Sequence, residues 1–320
     1  MALILNNQRA VVPRVSVVIP CYNAAPFIAE TLDSVFAQTC TDYEVVVVND
    51  GSPDTEAFEQ AIARYRSHIR YLNQRNTGPS GARNHGIREA RGELVAFLDS
   101  DDQWLPEFLA DQLRMFDADP ALDLLYSDGT IFGDSPLAGR TLMSASPSRG
   151  AVTFESLVRE ECTVLTSTTM ARRQALLDAG LFDERFLRSE DFHLWLKMLL
   201  NGARFAYNER VLVRHRRREG SLAHNTVAML RAFVEVTRDL APRLTAAQRA
   251  LVEEQAARKE ADVALIEAKT AFMAGHYPEA VAALDRASAL EPRRQRQLRL
   301  RAIRTAMRFA PRLLRRAYAC

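Results

Sequence analysis

Three acidic residues, Asp99, Asp101 and Asp102, follow directly on the apolar run Leu94-Val95-Ala96-Phe97-Leu98. Carboxylates crowded at the end of a buried strand repel one another unless a cation lies among them. Hard oxygen donors at that density suit Mg²⁺ or Mn²⁺, which keep part of their water shell and also bind phosphates. The same residues would serve an acidic loop in which Asp101 or Asp102 caps the next helix, and a phosphohydrolase could use similar acids. A second acidic pair, Glu190-Asp191, follows Ser189. Ser189 is a good N-cap residue, and acids in a first helical turn suit the helix dipole, which accounts for the pair structurally. The chemical reading makes Asp191 a general base toward a hydroxyl. A helix start lowers a carboxylate's pKa, whereas burial beside Phe192 and Trp195 raises it.

Three further clusters carry polar chemistry. Asn49-Asp50-Gly51-Ser52 closes an apolar run; Asp50 could accept hydrogen bonds from a base or ribose, or the stretch is an Asx turn. Asn76-Thr77-Gly78-Pro79-Ser80-Gly81-Ala82-Arg83-Asn84 is a glycine-rich helix entry whose backbone N–H groups favour anions, with Arg83 one turn in and able to reach a diphosphate. Its pattern is not GxGxxG and no acid follows at the dinucleotide spacing, which disfavours NAD. Val213-Arg214-His215-Arg216-Arg217-Arg218 sets four arginines beside a histidine. That run is either a solvated loop or a cradle for a diphosphate leaving group.

The elements that must position these groups are legible from periodicity. Val15–Ile19, Val45–Val48, Ile69–Leu72 and Leu94–Leu98 read as strands, with helices predicted over 27–38, 58–65 and 81–90 between them. Alternation of strand and helix implies a parallel, doubly wound α/β sheet, and in such sheets ligands sit at the carboxyl ends of the strands. The clusters at Cys21-Tyr22-Asn23, Asn49-Asp50-Gly51 and Asp99–Asp102 all occupy that edge. Short strands are predicted at Leu124–Tyr126 and Thr163–Met170, a helix over 189–200, and helices throughout the chain beyond about Ser221.

Composition bounds the class. The chain has 320 residues, 48% of them hydrophobic, and a net charge of +2. It can bury a substantial core and carries no nucleic-acid signature. Its four cysteines, Cys21, Cys40, Cys162 and Cys320, lack metal-ligand spacing, as expected of reduced thiols in a cytoplasmic protein. The apolar run Ala2–Leu5 is too short for a signal peptide and no window approaches a transmembrane span, so any membrane contact is expected to be peripheral, on the inner face.

Taken in order, VSVVIPCYN (15–23), EVVVVNDGSPD (44–54), NTGPSGARNHGI (76–87), GELVAFLDSDD (92–102) and SEDFHLWLKML (189–199) resemble glycosyltransferase family two. The resemblance implies a GT-A-like doubly wound mixed sheet with helices on both faces, over about 1–225, followed by an all-α extension. It implies an inverting transferase that moves a sugar from a nucleotide-diphosphate donor, a UDP-sugar by the family's habit, to a hydroxyl of a glycan or lipid-linked acceptor in bacterial surface polysaccharide or glycoconjugate synthesis. In that scheme Pro20, Tyr22, Asn23 and Asp50 contact the nucleoside and Arg83 lies near the donor phosphates. Asp99-Ser100-Asp101 is the DxD motif, with Ser100 on the nucleotide side. Asp101, with Asp99, holds Mn²⁺ or Mg²⁺. Asp191 is the base, and Glu190 and Trp195 meet the acceptor. One departure concerns a histidine that many members carry shortly before a late Gly-Ser pair. Counting back from Gly220-Ser221, its place here is Arg218, so no metal-binding histidine is assigned. A non-catalytic nucleotide-sugar binder and a metal phosphohydrolase are the competing functions.

Residues 264–292 have the spacing of a single tetratricopeptide repeat at Ala268, Gly275, Tyr277, Ala280, Leu284, Ala287 and Pro292. One repeat cannot bury its own face, so a helical hairpin packed on the catalytic domain is expected, with partner binding or homo-oligomer formation the alternative. From Pro292 to Cys320 there are ten arginines and no acid. This segment reads as an amphipathic helix for an anionic membrane surface, or as a solvated basic tail.

Overall fold

A computed structural model describes residues 12–218 and 225–309. The apolar run Ala2–Leu5, the Gly220-Ser221 pair and residues 310–320 of the basic tail, with Cys320, lie outside them. The chain divides into two compact units, residues 1–219 and 220–320.

The first unit is built on β1 (Val15–Cys21), β2 (Tyr43–Asp50), β3 (Arg70–Gln74) and β4 (Leu94–Phe97), paired in parallel in the order β3-β2-β1-β4. Their β-branched runs are apolar on both faces because both faces are covered. Val15, Val17 and Ile19 of β1 pack with Ile28, Leu32 and Val35 of α1 (Ile28–Phe36), Phe58 and Ile62 of α2 (Thr55–Ile62), and Phe108 and Phe116 of α4 (Phe108–Ala118). On the opposite face Val18 abuts Gly86 of α3 (Gly78–Glu89), so closely that a Cβ there would lie 2.4 Å from Val18 Cγ1.

Beyond β4 the sheet turns mixed. The full order is β3-β2-β1-β4-β7-β6-β8-β5, with β5 (Gln103–Trp104), β6 (Leu124–Gly133), β7 (Thr169–Arg172) and β8 (Phe205–Arg217). Strand β7 runs antiparallel to both β4 and β6, β8 is parallel to β6, and β5 is antiparallel to β8. Three short helices, α5 (Leu142–Ala145), α6 (Phe154–Val158) and α7 (Arg173–Asp178), precede α8 (Glu190–Leu200).

Three sequence expectations are corrected here. The segment 163–170 is not a strand throughout. Residues 166–168 form a 3₁₀ turn, because Thr168 and Thr169 donate their hydroxyls to Leu165 O and Thr166 O at 2.7 Å each and compete with ladder bonding. The strand at 124–126 extends to ten residues. The arginine-rich stretch after Val213 is the end of the thirteen-residue β8, not a loop. Its arginines still read as strand because alternate residues stack on rings: Arg214 and Arg216 over Phe132 at 4.6 and 4.4 Å.

The second unit is all-helical: α9 (Thr226–Asp239), α10 (Ala246–Ala274), α11 (Tyr277–Leu290) and α12 (Arg294–Phe309). Thr245 and Gln248 form a capping box at the start of α10, and Gly275, at φ +86°, ends it in the left-handed region that favours glycine. Ala264, Ala268 and Phe272 of α10 close against Ala280, Ala283, Leu284 and Ala287 of α11, making the hairpin. Leu300 and Met307 of α12 are buried in the same cluster, and Arg296 pairs with Asp262 and Glu291. Much of the apolar side of 294–309 is therefore consumed by packing within this unit. Among the described residues no helix is long and apolar enough to cross a membrane.

Candidate active site

The strand ends deliver the polar groups to one edge of the sheet. Register pairs Cys21 with Asn49, and Asp50 with Gln74. After β4, Leu98 N still bonds Val18 O at 3.2 Å. The next four residues form a tight acidic turn in which Asp102 N donates to Asp99 O at 3.0 Å. Thr31 of α1 pins this turn, its hydroxyl donating to Ser100 O and Asp102 O at 2.9 Å.

The three acids have different surroundings. Asp102 is 1% exposed and anchors β8. Its Oδ1 accepts from Arg216 N at 2.7 Å and its Oδ2 lies 3.0 Å from His215 Nδ1. The helix-cap reading of Asp102 is thereby replaced, since the element that follows is β5. Burial lowers the basicity of His215, but the Asp102 carboxylate more than offsets this and its pKa is raised. Asp101 accepts from Arg218 Nε at 2.8 Å. Burial, and then the neighbouring Asp102, push its carboxyl above the usual range, with Arg218 opposing. Asp99 pairs with Arg83 at 2.8 Å and is a third exposed. Asp99 and Asp101 are partly exposed and each is paired with an arginine; their hard oxygens are the donors of this turn that could serve a divalent ion.

Arg83 does not stand free toward a ligand. It is 5% exposed and its two terminal nitrogens are taken by Asp99 (2.8 Å) and Glu190 (2.7 Å), with Phe182 beneath the guanidinium at 5.4 Å. Both carboxylates raise its pKa against the cost of burial. Arg83 is thus a positioning residue that ties the acidic turn to the start of α8. Glu190, expected at the acceptor, is spent on this pair. Its pKa is pushed up to about 7 by burial and then by Asp191, with Arg83 pulling the other way. Ser189, expected as N-cap, makes no side-chain cap bond and sits at φ +56°. This strained turn feeds Glu190 inward and leaves Asp191 partly exposed.

Asp191 Oδ2 accepts from Thr166 Oγ1 at 2.7 Å, and its Oδ1 accepts from Phe192 N. The next residue, Ser167, accepts from Asp99 N at 3.1 Å. Two independent ties, Arg83 and the Thr166-Ser167 turn, therefore set the start of α8 beside the acidic turn. Sequence reasoning missed Thr166 and Ser167. Their signal was present: four consecutive hydroxyl residues, 166–169, are all under 5% exposed within an apolar segment.

Trp195 is corrected outright as an acceptor contact. It is fully buried, in tilted and edge contacts with Phe97, Phe182 and Phe205, and seats α8 on the sheet. Asp50 is 2% exposed, and its Oδ1 accepts from Thr77 N (2.9 Å) and Gln74 Nε2 (2.7 Å). The anion at the mouth of α3 is therefore the chain's own Asp50. Gly51, at φ +62°, allows the approach, since a Cβ there would meet Asn76 N at 2.7 Å. Asn23, at φ +52°, bonds through its N–H to Ser52 Oγ at 2.6 Å, and Ser52 in turn bonds Asp54. Tyr22 is 53% exposed beside it, and Pro20 is half-buried.

The mixed sheet with helices packed on it is a GT-A-like fold. The sequence matches the family model described as Glycosyl transferase family 2 over residues 16–180, more than half of the chain. The chain belongs to that family. It is 31% identical over 186 residues to UDP-Glc:alpha-D-GlcNAc-diphosphoundecaprenol beta-1,3-glucosyltransferase WfgD of Escherichia coli, covering 58% of this chain and 69% of WfgD. It spans only 26–34% of the length of four other curated glycosyltransferase relatives, from three Rickettsia species and Bacillus subtilis. Its fold is similar to that of S. aureus TarS in complex with UDP-GlcNAc, at TM-score 0.62 and 22% identity over 92% of this chain and 87% of the other. It is also similar to mannosyltransferase PcManGT from Pyrobaculum calidifontis in complex with GDP-Man and Mn²⁺, at TM-score 0.60 and 21% identity over 97% and 85%.

Proposed function

We propose that the protein is an inverting glycosyltransferase that moves a sugar from a nucleoside-diphosphate donor, a UDP-sugar, to a hydroxyl of a glycan or lipid-linked acceptor in surface polysaccharide or glycoconjugate synthesis. The carrying observation is the double tie that seats Glu190-Asp191 beside Asp99–Asp102. A donor-gripping acid cluster and a base must share one cleft for direct displacement. The WfgD name, with its UDP-Glc donor and diphosphoundecaprenol-linked acceptor, supports the substrate class.

In this reading Asp191 Oδ takes the acceptor hydroxyl proton. The oxygen attacks the anomeric carbon, the bond from that carbon to the diphosphate oxygen breaks, and its electron pair leaves with the nucleoside diphosphate. The anomeric centre inverts because entry and departure are in line. Thr166 holds the carboxylate in position. Pro20, Tyr22, Asn23, Asp50 and Ser100 line the nucleoside end. Asp101, with Asp99, would hold Mn²⁺ or Mg²⁺, which supplies charge neutralisation for the leaving diphosphate. The enzyme works at the inner membrane face, where lipid-linked acceptors lie.

The test is a screen of nucleotide sugars with Mn²⁺ or Mg²⁺, following nucleoside-diphosphate release in the presence and absence of acceptors. Release that needs no acceptor would favour a phosphohydrolase. Donor binding with no turnover under any acceptor would favour a non-catalytic binder.

A further inference from the structure

Arg218 follows the last residue of β8, with its guanidinium on Asp101 Oδ2 at 2.8 Å and over the ring of Phe27 at 5.0 Å. Its neighbour Arg216 is held differently. Arg216 bonds Asp101 O (2.9 Å), pairs with Glu30 (2.7 Å), donates its backbone N–H to Asp102, and stacks between Phe27 and Phe132. Arg216 is therefore fixed to the scaffold, whereas among the described residues the guanidinium of Arg218 makes one ion pair, and 38% of its side chain is exposed. That one contact falls on the oxygen pair proposed to ligate the divalent ion.

On the metal reading given above, we infer that Arg218 is a built-in competitor for the cation on Asp101: in the donor-free protein its guanidinium occupies the carboxylate, and the divalent ion binds only as Arg218 leaves. Two positive charges cannot share one partly buried carboxylate without strong repulsion. Ion binding is weakened by the fraction of molecules in which Asp101 is already paired. A nucleoside diphosphate removes that cost, because its phosphate oxygens offer Arg218 a second anionic partner in exchange for Asp101. Metal and donor therefore bind with positive coupling, and the free protein discriminates against loading a bare ion. Phe27 keeps the aliphatic stem and guanidinium plane at the cleft edge in either arrangement.

The experiment is a Mn²⁺ titration of the full chain, with free ion read by electron paramagnetic resonance, alone and with UDP, for wild type, Arg218→Gln, Arg218→Ala and Asp101→Asn, each checked for an unchanged melting curve. Arg218→Gln keeps a stem against Phe27 and guards against a folding failure in Arg218→Ala. Removing the guanidinium should tighten Mn²⁺ binding to the nucleotide-free protein by about 5-fold, the size expected of one half-exposed ion pair, and shrink the enhancement that UDP confers. Asp101→Asn should lose the ion in both conditions. Equal or weaker Mn²⁺ affinity in both Arg218 variants would overturn the competition while leaving the metal reading intact. No Mn²⁺ bound by any form, with or without UDP, would overturn both.

Discussion

Arg83 and Glu190 are 107 residues apart in the chain, and their side chains meet at 2.7 Å, almost wholly out of water. The other arm of the same guanidinium holds Asp99 at 2.8 Å. One buried cation thus joins the acidic turn after β4 to the start of α8, 91 residues further along the chain. Removing it leaves two carboxylates without their partner. Arg83→Ala is expected to cost about 3–5 kcal/mol in urea denaturation, and Arg83→Lys to recover only part, because a point charge cannot span both acids. A variant as stable as wild type would deny Arg83 this role.

The division of labour between the acids is separable by kinetics. Asp191→Asn should lower kcat by about 10²–10⁴-fold and leave donor binding within twofold. Asp101→Asn, or chelation of the ion, should lower turnover and donor affinity together. Isothermal titration with the donor beside steady-state rates distinguishes the two; a fully active Asp191→Asn would remove the base.

Thr166 holds the Asp191 carboxylate, the proposed base, through a hydroxyl bond at 2.7 Å. A hydrogen bond to a charged group is worth about 1.5–3 kcal/mol, so Thr166→Val should reduce kcat by about tenfold or more with KM little changed. Thr166→Ser, which keeps the hydroxyl, should restore most of the rate. A purely structural threonine would not show that rescue.

Stability should depend on pH through Glu190. Burial, and then Asp191, raise its carboxyl to about 7 from 4.5, with Arg83 opposing. Between those values the folded protein holds more protons than the unfolded chain, so stability falls as pH rises through the window and levels off above it. Melting curves from pH 5 to pH 8 should decline in wild type and be flatter in Glu190→Gln. Identical profiles would assign the pH dependence elsewhere.

Gly86→Ala tests the packing of α3 on β1. The new Cβ would fall 2.4 Å from Val18 Cγ1. Overpacking of this kind costs about 1–3 kcal/mol; a double variant with Val18→Ala should recover part of it, and purely additive losses would argue against direct contact.

The sequence by itself determined the strands at 15–19, 45–48 and 94–98, the helices between them and the strand-end position of Asp50 and Asp99–Asp102. It did so because β-branched runs, helical periodicity and turn residues are local signals. It also marked Asp191 as the candidate base. It assigned Trp195 and Glu190 to the acceptor, since helical spacing reports which residues share a face and not which face meets the cleft. The arginine run of β8 looked like a loop because nothing local announces that Phe27 and Phe132 stack against it. Arg83 looked like a phosphate ligand because its carboxylate partners lie on other elements, Asp99 after the next strand and Glu190 107 residues on. Only the tertiary structure decided which charges face each other, and with that which acids are spent on holding the site together and which stay open to substrate. Ion pairing acts over a few ångströms in space, and across a hundred residues of chain that proximity is set by packing alone.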